Sequence, residues 1–388
     1  MNSGNETSFE ETLAAAERGD AAAQYDLGWI YFSADPPNAA EALINFRKAA
    51  DQNHAGAQCL LGIMYHGGHG VDQDYEKAIE CYQKAAKQDH DGARYQLGLI
   101  YFNGHGVEKN YETAASWFKE AERNASAQNY LGIMYAAGLG VDQSDAAAID
   151  WFQKAANQGY PTARNYMGIM YRDGRGVQQN YHEAYSWFTV AAEQEHPDAQ
   201  FNVGEMHLSG RGVDQHYGQA ARWFTRAAAQ GHVLALYNLG WMYATGSGVQ
   251  KNPEKAVELY SQAAEQGHAR AQYTLGWMFH GWGDIPQDLD RAKDLYLEAA
   301  RQGLASAENG LGWMYRWGEG VVQEFDEAIK WFRRAAERGL ATAQYNLGSM
   351  LESGLGTSKD REEAMLWYER AAGQGYRPAI IACRVTNA

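Results

Sequence analysis

Twelve histidines and three cysteines are the side chains of this 388-residue sequence best suited to holding a metal or acting as nucleophiles. Five of the histidines, His54, His90, His196, His232 and His268, fall at the same place, in a turn that follows a helix, once per repeat of a periodic sequence. Zinc ligands must converge to about 2.0–2.1 Å of one ion. Equivalent positions on stacked helical repeats lie on the order of 10 Å apart, given helix spacings of 8–10 Å. These histidines are therefore assigned to turn packing or to the surface, and neither a metal nor a cofactor is expected. Cys59, Cys81 and Cys383 are too few and too irregularly placed for a disulfide framework. Cys59 and Cys81, on the two helices of one repeat, read as free buried thiols in a reducing compartment. No HExxH, GxSxG, Walker or paired CxxC pattern is present, and the carboxylates fall mainly on solvated helix faces, so no catalytic residue is assigned.

Aromatic residues carry more information. The tryptophans Trp117, Trp151, Trp187, Trp223, Trp331 and Trp367 recur in register beside Phe or Tyr and are expected in the core, where a large aromatic buries about 150–250 Å². A second series lies on other helices. Relative to the Gly of a recurrent Leu-Gly pair, the positions three before, one after and four after read Tyr237, Trp241, Ala244, then Tyr273, Trp277, His280, then Asn309, Trp313, Arg316. These spacings share one face of a helix. Trp282 and Trp317 stand in the adjoining loops. The candidate partner-binding set is accordingly Tyr237, Trp241, Tyr273, Trp277, His280, Trp282, Trp313, Arg316 and Trp317, since aromatics and Arg are the residue types of interface hot spots. The earlier equivalents Ile63, Leu99, Ile133 and Ile169 are aliphatic, and the competing reading is that Trp241, Trp277 and Trp313 simply pack between helices as those do.

The elements that position these residues are set by the repeat. Leu236 to Val249, LYNLGWMYATGSGV, returns in variant form along nearly the whole chain. Its Gly240 recurs as Gly28, Gly62, Gly98, Gly132, Gly168, Gly204, Gly276, Gly312 and Gly348, 36 residues apart except for two intervals of 34 whose deletions are placed in turns. Each unit reads as a first helix, a Gly-x-Gly-Val loop whose glycines permit a left-handed turn, a helix cap, and a second helix bearing an aromatic pair and an Ala-Ala pair. The caps are clearest in Asn252 before Pro253, Asn180 with Glu183, and Asp360 with Glu363. Each helical Gly costs about 0.8–1 kcal/mol relative to Ala, so ten of them imply close approach of another helix backbone. Residues 8–19 read as a capping helix with Ser8 and Glu11 forming a capping box.

These motifs resemble the Sel-one-like repeat family, relatives of the tetratricopeptide repeats, over about residues 20–375. The 36-residue interval with a Gly-x-Gly-Val loop separates it from the 34-residue tetratricopeptide unit. The eighth loop departs, reading Trp282, Gly283, Asp284, Ile285, which marks that repeat for local specialisation. The resemblance implies an all-α, right-handed α/α superhelical solenoid of about ten repeats, with a tail and capping helix at 1–19, the array at 20–375, and a cap or truncated eleventh repeat at 376–388. It implies a non-enzymatic, bacterial scaffold or adaptor binding a protein or peptide on its concave face. A dedicated immunity protein against a secreted toxin, an enzyme or binder acting on a cell-wall polymer, and a self-assembling architectural array are the alternatives. The penicillin-linked branch of the family carries regular cysteine pairs that are missing here, so its activity is not carried over.

The formal charge of −15 disfavours nucleic acid and anionic membrane surfaces as partners. The first eleven residues lack a basic and apolar leader pattern, and no apolar run reaches membrane-spanning length. A cytoplasmic monomer is expected from the chain as it stands, with self-association left open and a periplasmic or secreted location if a leader has been removed.

Overall fold

The computed structural model describes residues 3–386, and side chains for residues 9–384. Among the described residues the chain is entirely helical. It divides into two compact units, Met1–Gln194 and Glu195–Ala388. The first holds an initial helix and repeats 1–5; the second holds repeats 6–10 and a final helix, Arg377–Thr386. Within each unit every first helix packs on its own second helix, and the second packs on the first helix of the next repeat.

Capping chemistry fixes the helix ends. Asn252 Oδ1 accepts the Lys255 N–H at 2.8 Å, and Asp360 Oδ1 accepts the Glu363 N–H at 2.8 Å. At the other end of the first helices of repeats 2–7, 9 and 10 a glycine in the left-handed region closes the turn, as at Gly246 (φ +77°) and Gly318 (φ +71°). The initial helix departs from expectation. It spans Ser3–Glu17, so Ser8 lies inside the helix and is not its cap. One of the two shorter repeats also differs: the missing residues come largely from the second helix itself, Tyr111–Glu120, which has 10 residues where its neighbours have 12 or 13.

The Leu-Gly glycines are explained by an aromatic ring, which corrects the expectation of a neighbouring helix backbone. A β-carbon placed on Gly240 would lie 2.9 Å from the ring of Tyr260, and one on Gly62 would lie 2.6 Å from Tyr82. At each of the ten positions the obstruction is the Phe or Tyr of the second helix, closer than 3 Å. Real carbon atoms do not approach so closely, so the small residue is what lets the ring lie flat on the helix. Those rings, among them Phe118, Phe152, Phe188 and Phe332, are fully buried. Their Trp neighbours, expected in the core, stand at its edge: Trp367 is buried, while Trp117, Trp151, Trp187, Trp223 and Trp331 are half-buried, with Trp117, Trp151, Trp187 and Trp331 packed against the core clusters. Cations cover several, with Lys154 3.9 Å from the Trp151 ring centre and Arg226 4.5 Å from that of Trp223.

A polar ladder runs beside this core. Four residues before the Leu-Gly glycine, a Gln is buried in six repeats: Gln24, Gln58, Gln128, Gln200, Gln272 and Gln344. Each accepts a hydrogen bond of 2.8–2.9 Å from the Gln that ends the second helix of its own repeat, as Gln302 donates to Gln272 and Gln374 to Gln344. This gives the recurrent Gln-Gly its purpose. The Gly makes the turn and the Gln satisfies a buried amide that would otherwise cost about 1–3 kcal/mol. Repeat 9 keeps the rung with charges exchanged for amides: Glu308, fully buried, is held by Arg334 and by Arg338, each at 3.1 Å.

Candidate functional site

Once the Gly is pinned against a ring, the position after it is turned about 100° round the helix, away from that ring. In repeats 2–5 this position holds Ile63, Leu99, Ile133 and Ile169, all half-buried, while repeat 1 holds Trp29, 40% exposed. In repeats 7–9 it holds Trp241 and Trp277, each 38% exposed, and a half-buried Trp313, flanked by Glu205 in repeat 6 and Ser349 in repeat 10. Trp313 packs against the core beside it and stacks on Trp317, ring centres 6.1 Å apart, while Trp317 stays 55% exposed. Arg316 lies over the same pair, 5.9 Å from the Trp313 ring centre and 5.3 Å from that of Trp317.

Repeat 8 breaks the common plan at its first helix. The α-helix Ala269–Trp277 passes into a π-helical turn, Met278–Trp282, with Gly281 at φ +105°. The left-handed residue thus comes one position earlier than in other repeats, and Trp282 takes the place of the usual glycine. Two anchors are kept: the Asp288 N–H donates to the Phe279 carbonyl at 2.8 Å, and the Gln287 amide donates to the His280 carbonyl at 2.8 Å. The displaced Trp282 is 47% exposed and lies 6.2 Å from Trp277, ring centre to ring centre. π-Turns inside α-helices are rare and often mark functional sites.

His280 departs from its expected outward position. Its side chain is buried, with Nε2 2.8 Å from Glu319 Oε2, Nδ1 3.3 Å from the Tyr296 hydroxyl, and its ring 4.1 Å from that of Trp282. The π-turn folds it under Trp282, so it supports that ring from below and does not face solvent. Tyr237 and Tyr273 are half-buried and lie against the second-helix rings of Tyr260 and Tyr296.

Two clefts adjoin the Trp277–Trp282 pair. One, of about 310 Å³, lies between Trp241 and Trp277 and is lined also by Tyr260, Thr274, Trp282 and Asp284. The other, of about 290 Å³, lies between Trp277 and Trp313, with Tyr273, Ser306 and Asn309 in its wall. Of the nine candidate residues, the structure gathers Trp241, Tyr273, Trp277, Trp282 and Trp313 around these clefts. Tyr237 lines neither, and Arg316 and Trp317 stand beside the second. Tyr260 and Asp284 were missed; the departure of the eighth loop from Gly-x-Gly-Val was the available signal for Asp284. Trp29, 40% exposed at the same position of repeat 1, was also missed.

The histidines of the inter-repeat turns have a structural task. Nδ1 of His54, His90, His196, His232 and His268 accepts a backbone N–H of the following first helix at 3.1–3.4 Å, an N-cap made by imidazole. Burial pushes the pKa of His90, His196 and His268 below the usual imidazole value, in keeping with a ring that must be neutral to accept. Cys59 and Cys81 are free and buried, and burial raises their thiols to about 12 and about 11, far from the thiolate a nucleophile needs. Among the described residues no group of three or more His, Cys, Asp or Glu converges, and no helix is long and apolar enough to cross a membrane.

The Sel1 repeat model matches ten successive segments covering residues 21–54, 55–90, 92–124, 125–160, 161–196, 197–232, 233–268, 269–304, 305–340 and 341–376. The chain belongs to the Sel1-repeat family. The Escherichia coli protein c5321, described as a protective antigen of uropathogenic strains displaying this repeat fold, is 30% identical over 98% of this chain and 90% of its own, with a TM-score of 0.66. A Sel1 repeat protein from Oxalobacter formigenes is 31% identical over 79% of this chain and 90% of its own, with a TM-score of 0.59. An immunity protein from Pseudomonas aeruginosa is 17% identical with a TM-score of 0.34, too remote to bear on function. Among curated proteins none matches the sequence. The Sel1-repeat solenoid is a fold commonly used as a protein-interaction scaffold, since stacked repeats present a long ordered surface with no need of a catalytic centre.

Proposed function

We propose that this protein is a non-enzymatic scaffold that binds a protein or peptide partner on the first-helix face of repeats 7–9. One observation carries the reading: three consecutive repeats place Trp at a position that is aliphatic in most of the others, and two clefts open between these Trp residues. Large exposed aromatics have no packing advantage over Ile at a position Ile fills in the first unit, and they are the residues that dominate binding energy at interfaces. The five turn histidines are committed to helix caps, and the thiols of Cys59 and Cys81 to the core. The partner is therefore held by apolar and aromatic contact and rimmed by polar groups, with no bond made or broken.

Affinity capture from the source cells tests this directly, with the unmodified chain beside a Trp277→Ala, Trp313→Ala double variant whose folding is verified by circular dichroism. The expected result is a dominant protein retained by the first and lost by the second. A partner retained equally by both would contradict the assignment of this face.

A further inference from the structure

Resting on the reading of repeats 7–9 as the partner face, we infer that the cleft between Trp241 and Trp277 receives the cationic end of a lysine or arginine side chain from a protein partner. Its walls are Trp241, Trp277, Trp282 and Tyr260, with the Trp277 and Trp282 rings inclined at 44° so that they form two sides of a corner. Aromatic faces attract a cation within about 6 Å of the ring centre, Trp most strongly. The one charged residue in the lining is Asp284; no Lys, Arg or His takes part. Asp284 Oδ2 is 2.5 Å from Lys251 Nζ, but both side chains are more than half exposed. Such an exposed pair holds little energy, and an incoming cation can replace it.

The neighbouring cleft has the opposite bias. It shares the Trp277 and Trp282 wall, its lining holds no charged side chain, and Arg316 lies over Trp313 at its far side. A cation there would meet a like charge already seated on the ring, whereas an apolar or neutral side chain fits. Two adjoining clefts of unlike character call for an occupant carrying a cation and an apolar group on one chain, as neighbouring side chains of a peptide do and a small quaternary ammonium ion does not. The formal charge of −15 on the whole chain favours approach of a basic segment.

The test is a titration of the full chain, followed through the indole N–H signals of Trp241, Trp277 and Trp282 by NMR. The probes are a blocked pentapeptide Gly-Lys-Gly-Leu-Gly, the same peptide with norleucine for lysine, and choline. The expected result is that the lysine peptide moves these three signals with at least tenfold higher affinity than the norleucine peptide, and that Asp284→Asn, at an exposed site where folding is not at stake, removes most of that advantage. Equal affinity of the two peptides at these indoles would overturn the cation assignment while leaving the partner face standing. Choline binding without the lysine peptide, or an advantage untouched by Asp284→Asn, would also overturn it. Failure of the partner face itself is read separately, from capture by the tryptophan double variant.

Discussion

The first helices of the two units are built alike inside, and those of repeats 2–5 in the first differ outside from those of repeats 7–9 in the second. In both, a Leu-Gly glycine receives a second-helix ring, as Gly132 receives Phe152 in the first unit and Gly240 receives Tyr260 in the second. In both, a buried Gln is tied to the Gln that ends the repeat, as Gln128 is to Gln158 and Gln272 to Gln302. One residue further round the helix the likeness ends: Ile133 is half-buried where Trp241 and Trp277 stand exposed. Residues facing inward are constrained by the neighbouring repeat, whereas the outward row is free to vary. The difference teaches that recognition is carried by a row of side chains laid on a frame that does not depend on them.

That comparison breaks most readily if the frame differs between units, and the largest effect is expected where its rung is charged. Removing both Arg334 and Arg338 by substitution to Ala leaves Glu308 buried without a counter-charge, which should cost about 3–5 kcal/mol. Adding Glu308→Gln with Arg338→Gln should recover most of it by restoring the amide rung of the other repeats. Denaturant unfolding measures both, and no recovery in the amide variant would show that repeat 9 is not built on the common plan.

A smaller loss is expected from the glycines, and it should be alike in the two units. Gly132→Ala and Gly240→Ala each force a β-carbon into a ring, costing about 1–3 kcal/mol against a helix-propensity gain of about 1 kcal/mol. Thermal denaturation should show a lowered Tm in both. A raised Tm in either would mean that the ring moves aside and the glycine is not required.

The smallest effect is one of pH. Because His90, His196 and His268 accept through Nδ1, they must be neutral in the folded chain, and burial holds their pKa below the unfolded value of about 6.5. The unfolded chain therefore binds protons first as pH falls. The stability these caps contribute is complete above about pH 6.5 and is lost as pH drops toward the lower folded value. Each cap is worth about 0.5–2 kcal/mol. His90→Asn, copying the cap that Asn124 provides in another turn, should keep stability at pH 7.5 and flatten its decline toward pH 5, as read from unfolding midpoints. An unchanged pH slope in this variant would refute the role.

The repeat, the loop glycines and the Asn and Asp caps were legible in the sequence because each is local: spacing along one helix or one turn determines them. The partner of each helical glycine was half legible. The energetic cost required a close neighbour, but whether that neighbour was a ring or a backbone depends on a contact with a helix about 20 residues away. The Gln rungs and the histidine caps were not legible. The turn histidines read only as packing or surface residues and the Gln only as part of a helix end, and the packed structure alone reveals that a residue 30 positions earlier presents a buried amide to Gln302 or Gln374. Trp241 and Trp277 were found by register alone. His280 was misplaced by the same register, because the π-turn at Met278–Trp282 breaks the 3.6-residue period on which the placement relied.

The most direct test converts the outward row of repeats 7–9 into that of repeats 2–5. Trp241→Ile, Trp277→Ile and Trp313→Leu, combined in one chain, leave the glycines, rings and Gln rungs in place. Calorimetric titration with the captured partner should show at least a 30-fold loss of affinity in this variant, the equivalent of about 2 kcal/mol, with Ile133→Ala in the first unit near the unmodified value. Undiminished affinity in the triple variant, with its fold intact, would contradict the claim that this tryptophan row is the binding surface.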